Sequence, residues 1–407
     1  VNELDEIIDE FNEISDDDWH SDDIMGWMYE YYNRTKREEF KSTGDKIEYQ
    51  WVSLSSQVYT PRWVVEFILN NSLGKLWMEM HPESSLKDNH DIANIPEEAT
   101  IVAKPVQDIK VLDPAVGSGN FLLYAFDLFY EMYKEEGLVA DSEIPQKIIE
   151  NNIHGIDLDD RAIQIAQLGL YIKALQQNKN AVIDHTNVVS SDFYLPEYEK
   201  ISDFFEDLEL HDDARELIQF IWDDLRMAHR FGSLIRIEER FNAIVNRTKL
   251  KHQTELFAVG EQDLFQQWET VVIPNIRKAV EQYTINGRGT SSFFKTKTLD
   301  SLTFVEILQN KFDVVVTNPP YTPAGDFGPE LKIFIDFNYK KPLAFHSNLY
   351  STFIKRNTEL LNENGKMGMI HPLTFMYIKS YEDVRKYIIN NYHINALIEF
   401  GIGGVFL

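Results

Sequence analysis

The sequence predicts an α/β protein built around a parallel sheet. Two short apolar strands, Ile109–Asp113 and Ile153–Asp157, are each followed by a segment with helical spacing. Strand character returns at Phe312–Val316, Lys366–Ile370 and Ile394–Phe400. Strands that alternate with helices favour a parallel sheet covered by helices. The chain has 407 residues, of which 43% are hydrophobic and 13% aromatic, so it can fill a large core.

The elements around these strands can be justified in chain order. Residues 1–50 combine acidic clusters with an aromatic run at helical spacing, which favours a helical appendage. Thr60 and Pro61 indicate a helix start, because a capping hydroxyl precedes a residue that is tolerated only in the first turn. Residues 81–107 are polar and contain three prolines, so they predict a loop. Further helices are predicted over Phe121–Lys134 and from a cap at Asp159 or Asp160.

Residues 199–305 differ in character from the segments on either side. They carry mixed charge, helical spacing between Leu217 and Met227, and few strand signals, which predicts a helical insertion. The apolar run Gly401–Leu407 would be an odd natural terminus, so we expect the chain to be the N-terminal piece of a longer protein. We therefore predict four parts: an acidic helical region 1–55, a first half of the sheet 56–198, the insertion 199–305 and a second half 306–407.

The composition of the sequence excludes cysteine chemistry and argues against a membrane location. The sequence has no cysteine, so no thiol nucleophile, disulfide or Cys-ligated metal can operate. We find no motif for a phosphate loop or a metal site, and we expect no metal. No apolar stretch is long enough for a membrane span, and the acidic start does not resemble a signal peptide, so we expect a cytoplasmic protein without a membrane partner.

Charge is distributed unevenly along the chain. The net charge is −27, which taken alone argues against a nucleic-acid partner. Residues 1–50 hold 16 acidic and 5 basic residues, whereas residues 331–400 hold 6 acidic and 9 basic ones. The C-terminal part could therefore present a face to a polyanion.

A glycine-rich turn between the first strand and its helix is the strongest single motif. It reads Asp113-Pro114-Ala115-Val116-Gly117-Ser118-Gly119-Asn120-Phe121. Two glycines allow a tight turn and close approach of a ligand, and the helix that follows offers free N–H groups to an anion. An ordinary strand-to-helix turn is the alternative.

Two further acidic positions follow predicted strands. Asp157 ends the second strand, where a carboxylate can accept hydrogen bonds from both hydroxyls of a ribose. A helix-capping role is the alternative. Asp192 and Phe193 follow the apolar pair Val188-Val189, so they could accept from an adenine amino group and stack on its ring. A turn acid and a core phenylalanine are the alternative.

The motif Asn318-Pro319-Pro320-Tyr321 directly follows the valine-rich strand. Each proline removes a backbone donor, so carbonyl oxygens are left at the carboxyl edge of the sheet, where open α/β sheets bind ligands. The Asn318 carboxamide and a neighbouring carbonyl make two acceptors for one amino group. Tyr321 adds an aromatic face for stacking. A strand that simply ends at prolines is the alternative.

These motifs together resemble the amino-group DNA methyltransferases of the gamma class, in which the cofactor motif precedes the catalytic one. The resemblance covers roughly residues 56–198 and 306–400, and it implies a Rossmann-like sheet that binds S-adenosylmethionine. It implies a catalytic group of Asn318, Pro319, Pro320 and Tyr321. It implies a cofactor-binding group of Tyr59, Thr60, Pro61, Asp113, Pro114, Ala115, Gly117, Ser118, Gly119, Phe121, Asp157, Asp192 and Phe193.

Other segments resemble the PglX methyltransferases of BREX phage defence. These segments are Ile24–Tyr32, Ser56–Trp63 and, least specifically, Gly232–Ile235. Type I and type IIG restriction enzymes share the core motifs, so they remain alternatives. The resemblance implies double-stranded DNA as the partner, read mainly by a C-terminal part beyond Leu407, and defence-system proteins as further partners.

We therefore expect site-specific methylation of adenine N6, with the base flipped out of the duplex toward Asn318. Methylation at cytosine C5 proceeds through a cysteine adduct, which this chain cannot form. The alternatives are an RNA or protein-glutamine methyltransferase, because the same motif can hold any planar amine or amide. A non-catalytic DNA or cofactor sensor in a defence complex is a third.

Overall fold

The fold is described from a computed structural model of the chain. The structure describes residues 24–56, 58–193, 197–200, 212–237 and 292–401, with a few isolated positions besides. The acidic clusters Asp16–Asp18 and Asp22–Asp23 and much of the predicted insertion lie outside the described residues. The four-part division of the chain therefore stays a prediction.

Five strands form one parallel sheet within the described residues, which confirms the predicted fold class. Their order in the sheet is β3-β2-β1-β4-β5, and every neighbouring pair is parallel. The strands are β1 (Val111–Asp113), β2 (Ile153–Asp157), β3 (Asn187–Ser190), β4 (Phe312–Thr317) and β5 (Leu361–Met369). This is a doubly wound order, with the reversal of winding between β1 and β4.

Helices cover both faces of the sheet because its central strands are apolar on both sides. In β4, Val314 and Val316 pack into one core while Val315 packs into the other. Leu112 and Val111 alternate in the same way in β1. Successive side chains of a strand point to opposite faces, so a run of valines buries both.

The helices are numbered in chain order. The first group is α1 (Ile24–Thr43), α2 (Tyr49–Ser56), α3 (Arg62–Leu69), α4 (Lys75–Met80), α5 (Leu86–Asn89), α6 (Asn120–Glu136) and α7 (Ile144–Lys147). The second group is α8 (Asp160–Gln177), α9 (Asp212–Arg226), α10 (Ala228–Phe231), α11 (Ser292–Gln309), α12 (Pro329–Tyr339), α13 (Leu349–Leu360) and α14 (Glu382–Asn391). Single π turns cover Asn70–Gly74 and Ile148–Asn152, and 3₁₀ turns cover Val106–Asp108, Tyr198–Lys200, Gly232–Leu234, Leu373–Met376 and Lys379–Tyr381.

Three sequence expectations are wrong in detail. Residues 394–400 form no strand; Ile394 is 50% and Leu397 55% exposed, and an apolar pattern without a neighbouring strand has no ladder to join. Helix α3 begins at Arg62 with Pro61 as its N-cap, and no side chain caps it, because proline has no hydrogen-bonding side-chain atom and Thr60, the predicted cap, lies one residue before the N-cap. The predicted loop 81–107 contains the short helix α5.

In the described part of the N-terminal region, residues 24–43 and 49–56 are helical, and only part of the aromatic run is buried. Tyr29 is 6% exposed, whereas Tyr31 and Tyr32 are 70% and 66% exposed. Helix α1 packs on α2 and against α8, so this helix lies on the sheet domain. Among the helices that the structure describes, none has the length and hydrophobicity needed to cross a membrane.

Candidate active site

The glycine-rich turn adopts a conformation that requires its two glycines. Gly117 and Gly119 have φ values of +55° and +93°, in the left-handed region. A Cβ at Gly119 would lie 2.8 Å from the Cβ of Ala166 in α8, so only glycine allows this close approach. Asp113, fully buried at the end of β1, accepts a hydrogen bond from the Ala115 N–H at 3.0 Å. Burial raises the pKa of Asp113 to about 7.

Asp157 at the end of β2 ties this turn to the neighbouring strand. Its Oδ2 accepts from the Gly117 N–H and its Oδ1 from the Asp159 N–H, both at 2.8 Å. Burial raises the pKa of Asp157 to about 6, against the lowering effect of these backbone donors. A carboxylate with two further lone pairs therefore stands at the carboxyl end of β2, beside the turn.

Asn318 follows β4 directly and its carboxamide is held at both ends. Its Nδ2 donates to the Thr60 hydroxyl at 3.0 Å, and its Oδ1 accepts a hydrogen bond from the Tyr321 hydroxyl. Burial alone raises the pKa of Tyr321, so the phenol stays protonated and remains a donor. The amide oxygen keeps one lone pair for another donor.

Tyr59 and Thr60 bring the N-terminal segment to the same place. The Tyr59 N–H donates to Glu30 Oε2 at 3.1 Å, and Trp27 packs edge-on against the Tyr59 ring. A Cβ at Gly26 would lie 3.1 Å from both Ser118 Oγ and the Tyr59 ring. Helix α1 thus lies directly over the glycine turn.

One cavity joins these groups at the carboxyl ends of β1, β2 and β4. It holds about 1090 Å³ of space outside protein atoms, its open mouth included. Among the predicted site residues, its lining includes Tyr59, Thr60, Pro114, Ala115, Gly117, Ser118, Phe121, Asp157, Asn318 and Pro320. The structure therefore brings the predicted cofactor and catalytic motifs together.

Other predicted site residues do not line the cavity. Phe193 is buried and packs edge-on against Phe304 at 5.4 Å, while the exposed Asp192 donates its N–H to Ser190 Oγ. The remaining predicted residues outside the lining are Pro61, Asp113, Gly119, Pro319 and Tyr321. Asp113 and Tyr321 contact the lining residues Ala115 and Asn318, and the Gly119 N–H donates to the carbonyl of the lining residue Val116 at 3.0 Å. The contacts of Asp192 and Phe193 with a ligand stay predictions.

Sequence reasoning also missed several residues of the lining. Tyr29 and Glu30 come from α1, and Phe231 to Leu234 come from the segment after α9. Leu158 and Phe353 add apolar side chains to the same lining. The family-like segments Ile24–Tyr32 and Gly232–Ile235 were the available signal, but spacing alone did not place them near the glycine turn.

Comparison with curated proteins finds two long matches. The chain is 26% identical over 404 residues to the adenine-specific methyltransferase BrxX of Escherichia coli O9:H4 (strain HS), covering 93% of this chain and 31% of BrxX. It is 27% identical over 434 residues to the adenine-specific methyltransferase PglX of Lacticaseibacillus casei (strain Zhang), covering 98% of this chain and 33% of PglX. The chain spans about a third of the length of these relatives. These matches confirm the resemblance to BREX methyltransferases.

Among solved structures, the chain resembles a DrdV–DNA complex determined by cryo-electron microscopy. The TM-score is 0.45 at 14% identity, covering 92% of this chain and 25% of that chain. Family comparison is more decisive. Residues 89–203 match the DNA-methyltransferase domain of MmeI, and residues 151–406 match the Eco57I restriction-modification methylase. The second match covers more than half of the sequence, so the chain belongs to the Eco57I restriction-modification methylase family.

Proposed function

We propose that this chain carries the catalytic part of an S-adenosylmethionine-dependent adenine-N6 DNA methyltransferase that works in phage defence. One observation carries the proposal: Asn318 and the glycine turn face one cavity where the winding of the sheet reverses. Ligands of open α/β sheets bind in that crevice. Similarity to the adenine-specific methyltransferases BrxX and PglX supports adenine as the acceptor, and membership of the Eco57I restriction-modification methylase family supports BREX or restriction-modification as the system.

The chemistry of the cavity fits S-adenosylmethionine. The glycine turn leaves open space at Gly117, where a Cβ would meet nothing within 4 Å. Asp157 offers carboxylate oxygens to the ribose hydroxyls, and Leu158 and Phe353 offer apolar surface to a planar ring. Tyr59 and Thr60 complete the lining on the side of Asn318. When bound, S-adenosylmethionine supplies a methyl group on a positively charged sulfur.

Asn318 would position the amino group that receives the methyl. Its free Oδ1 lone pair and the Pro319 carbonyl accept hydrogen bonds from the two amine hydrogens, which directs the nitrogen lone pair into the cavity. Thr60 and Tyr321 fix the carboxamide before the substrate arrives. Catalysis is then positioning and electrostatic stabilisation, with no covalent enzyme intermediate.

A base inside a duplex cannot reach Asn318, so the adenine must be flipped out of the stack. Tyr321 and the segment Lys366–Pro372 would form walls for the flipped base. The partner is double-stranded DNA, and defence-system proteins are further partners of the whole protein.

Methyl transfer from labelled S-adenosylmethionine to duplex DNA, RNA and bacterial protein, measured with the full-length protein that contains this chain, tests this function. We expect label in DNA, and N6-methyladenine after digestion of that DNA to nucleosides. Label only in RNA or in protein glutamine would contradict the DNA assignment. Cofactor binding without transfer to any acceptor would favour a sensor.

A further inference from the structure

The 3₁₀ turn Gly232–Leu234 lines the cavity, although it belongs to the predicted insertion. It follows α10 and is separated in sequence from every predicted cofactor motif. Nothing in the proposed chemistry of Asn318 uses it. Its presence at the cavity therefore needs a separate explanation.

Three hydrogen bonds fix this turn to the sheet domain. The Ser233 hydroxyl donates to the Pro114 carbonyl at 2.7 Å, so it touches the glycine-rich turn directly. The fully buried Arg356 donates from Nε to the Ser233 carbonyl at 2.7 Å. The Tyr339 hydroxyl donates to the Leu234 carbonyl at 2.7 Å. Ser233 is 3% exposed, so these bonds are shielded from water.

Gly232 places the turn over the carboxyl ends of β2 and β3. A Cβ on Gly232 would lie 3.2 Å from Leu158 Cδ2 and 3.5 Å from Ser191 Oγ. Leu158 follows Asp157, and Ser191 follows β3. The backbone of Gly232, with φ +51° and ψ −134°, is essentially accessible only to glycine. The turn thus lies so close to Leu158 that a side chain at position 232 would crowd it.

Apolar side chains flank the turn at this end of the cavity. Leu158 lies beneath Gly232, and Phe353 stands three residues before Arg356 on α13, so both face the neighbourhood of Ser233. Asp157, assigned to ribose, adjoins Leu158. Asn318 follows β4, which lies on the other side of β1 from β2, and Thr60 is hydrogen-bonded to Asn318.

We infer that Gly232–Leu234 is part of the cofactor-binding site and closes its nucleoside end. The inference rests on the proposed function, because it takes the cavity to be an S-adenosylmethionine site. Ser233 joins the turn to Pro114, so the insertion and the glycine turn hold the adenine ring from two sides. A planar ring suits the space between Leu158 and Phe353 beside a turn that has no side chain at Gly232.

Calorimetric titration of the full chain with S-adenosylhomocysteine and with 5′-methylthioadenosine tests this. The second ligand keeps the nucleoside but lacks the amino-acid portion. Gly232→Ala should weaken both ligands by about 10-fold or more, because it pushes the turn off Leu158. Ser233→Ala leaves the backbone unstrained and should weaken both by about threefold or more. Gly137→Ala is the matched control, since Gly137 has φ +69°, lies outside the cavity lining and has open space around its Cβ position.

The outcomes separate this inference from the function on which it rests. If the parent binds neither ligand, the cofactor site itself fails, and this inference fails with it. If the parent binds and both turn variants bind like Gly137→Ala, only the inference is overturned. Losses confined to S-adenosylhomocysteine would also overturn it, because they would place the turn at the amino-acid end. Near-ultraviolet circular dichroism checks the fold, and Ser233→Ala decides the matter if Gly232→Ala does not fold.

Discussion

In the proposed mechanism, Asn318 is an acceptor that is held in place before its substrate is present. A free carboxamide could rotate, but in this chain Nδ2 donates to Thr60 and Oδ1 accepts from Tyr321. Thr60 is 5% exposed, so the anchoring bond forms away from water. Groups that are fixed before the reaction need little reorganisation during it. This small reorganisation cost is the main source of electrostatic catalysis.

Tyr321→Phe separates two roles of this residue. The change keeps the aromatic ring but removes the donor to Asn318 Oδ1, so we expect the rate of methyl transfer to fall by about 10-fold with cofactor affinity nearly unchanged. Single-turnover transfer and S-adenosylhomocysteine titration measure the two quantities. Tyr377→Phe, at a position that is 67% exposed, is the control. A parental rate would mean that Tyr321 acts through its ring alone.

Asp113 makes the stability of the domain depend on pH. Burial raises its pKa from 3.8 to about 7 in the folded chain. The folded state therefore binds the proton of the Asp113 carboxyl more tightly than the unfolded state does. The protonated carboxyl contributes to the free energy of unfolding at low pH, and this contribution is lost as pH rises from about 4 to about 7. Replacing the Asp113 carboxyl by an uncharged group should remove this pH-dependent loss of stability.

We expect Asp113→Asn to have a higher free energy of unfolding than the parent, and this difference should grow with pH. The urea denaturation midpoints of variant and parent at pH 5 and pH 8 measure this difference. The midpoint of the variant minus that of the parent should be larger at pH 8 than at pH 5. Asp108→Asn, at an exposed position on the preceding 3₁₀ turn, is the control. A difference that is the same at both pH values would contradict the shifted pKa.

At the scale of elements, α1 joins three separate motifs. Gly26 lies against Ser118 and Tyr59, and Glu30 accepts from the Tyr59 N–H. Tyr29 donates to Asp159 Oδ2 at 2.8 Å, and Asp159 in turn caps α8 by accepting from the Arg161 N–H. The helix is thus a wall of the cavity as well as an appendage.

Tyr29→Phe tests whether the contact of α1 with Asp159 supports ligand binding in the cavity. Loss of one partly buried hydrogen bond to a charged acceptor should lower S-adenosylhomocysteine affinity by about three- to tenfold. Equilibrium titration gives the number, and Tyr31→Phe on the exposed side of α1 serves as the matched control. If both variants bind like the parent, α1 covers the cavity without supporting it.

The strands and helices next to the glycine turn could be predicted because local signals and tertiary packing agree there. Ile153–Asp157 is apolar, ends at a turn and lies inside the sheet, so its prediction matches the structure. Residues 394–400 carry a similar apolar signal but find no strand to pair with. Pairing is a property of the whole sheet, so composition could not distinguish the two.

The site was predictable in part for the same reason. Asp157 and Asn318 follow strands, and parallel strands bring their carboxyl ends to one edge. Tyr29 and Gly232 reach the cavity through contacts with residues far away in sequence, Asp159 for the first and Leu158 for the second. Periodicity within a segment carries no information about such contacts.

At the scale of the whole molecule, the basic segment 331–400 is largely neutralised within the chain. Six of its nine basic side chains form ion pairs; they are Lys332, Lys340, Lys355, Arg356, Lys366 and Lys386. The net charge of the chain is −27. Few cations of this segment therefore stay available for phosphates.

We expect residues 1–407 to bind duplex DNA weakly, with a dissociation constant of roughly 10⁻⁵ M or weaker at physiological salt, and without sequence preference. Few phosphate contacts should also give a shallow salt dependence. Fluorescence anisotropy with two unrelated duplexes at several salt concentrations measures both. Tight, site-specific binding would contradict this and would assign DNA reading to the insertion 199–305.

The central claim is that Asn318 acts on the methyl acceptor while the glycine turn and Asp157 bind the cofactor. Asn318→Ala tests it most directly when methyl transfer to duplex DNA and S-adenosylhomocysteine affinity are measured on the same preparation of an active enzyme that contains this chain. Asn391→Ala, on the exposed end of α14, is the control. The account predicts that transfer falls by about 10²-fold or more while affinity stays within about twofold of the parent. Transfer at the parental rate, or a loss explained entirely by weaker cofactor binding, would contradict it.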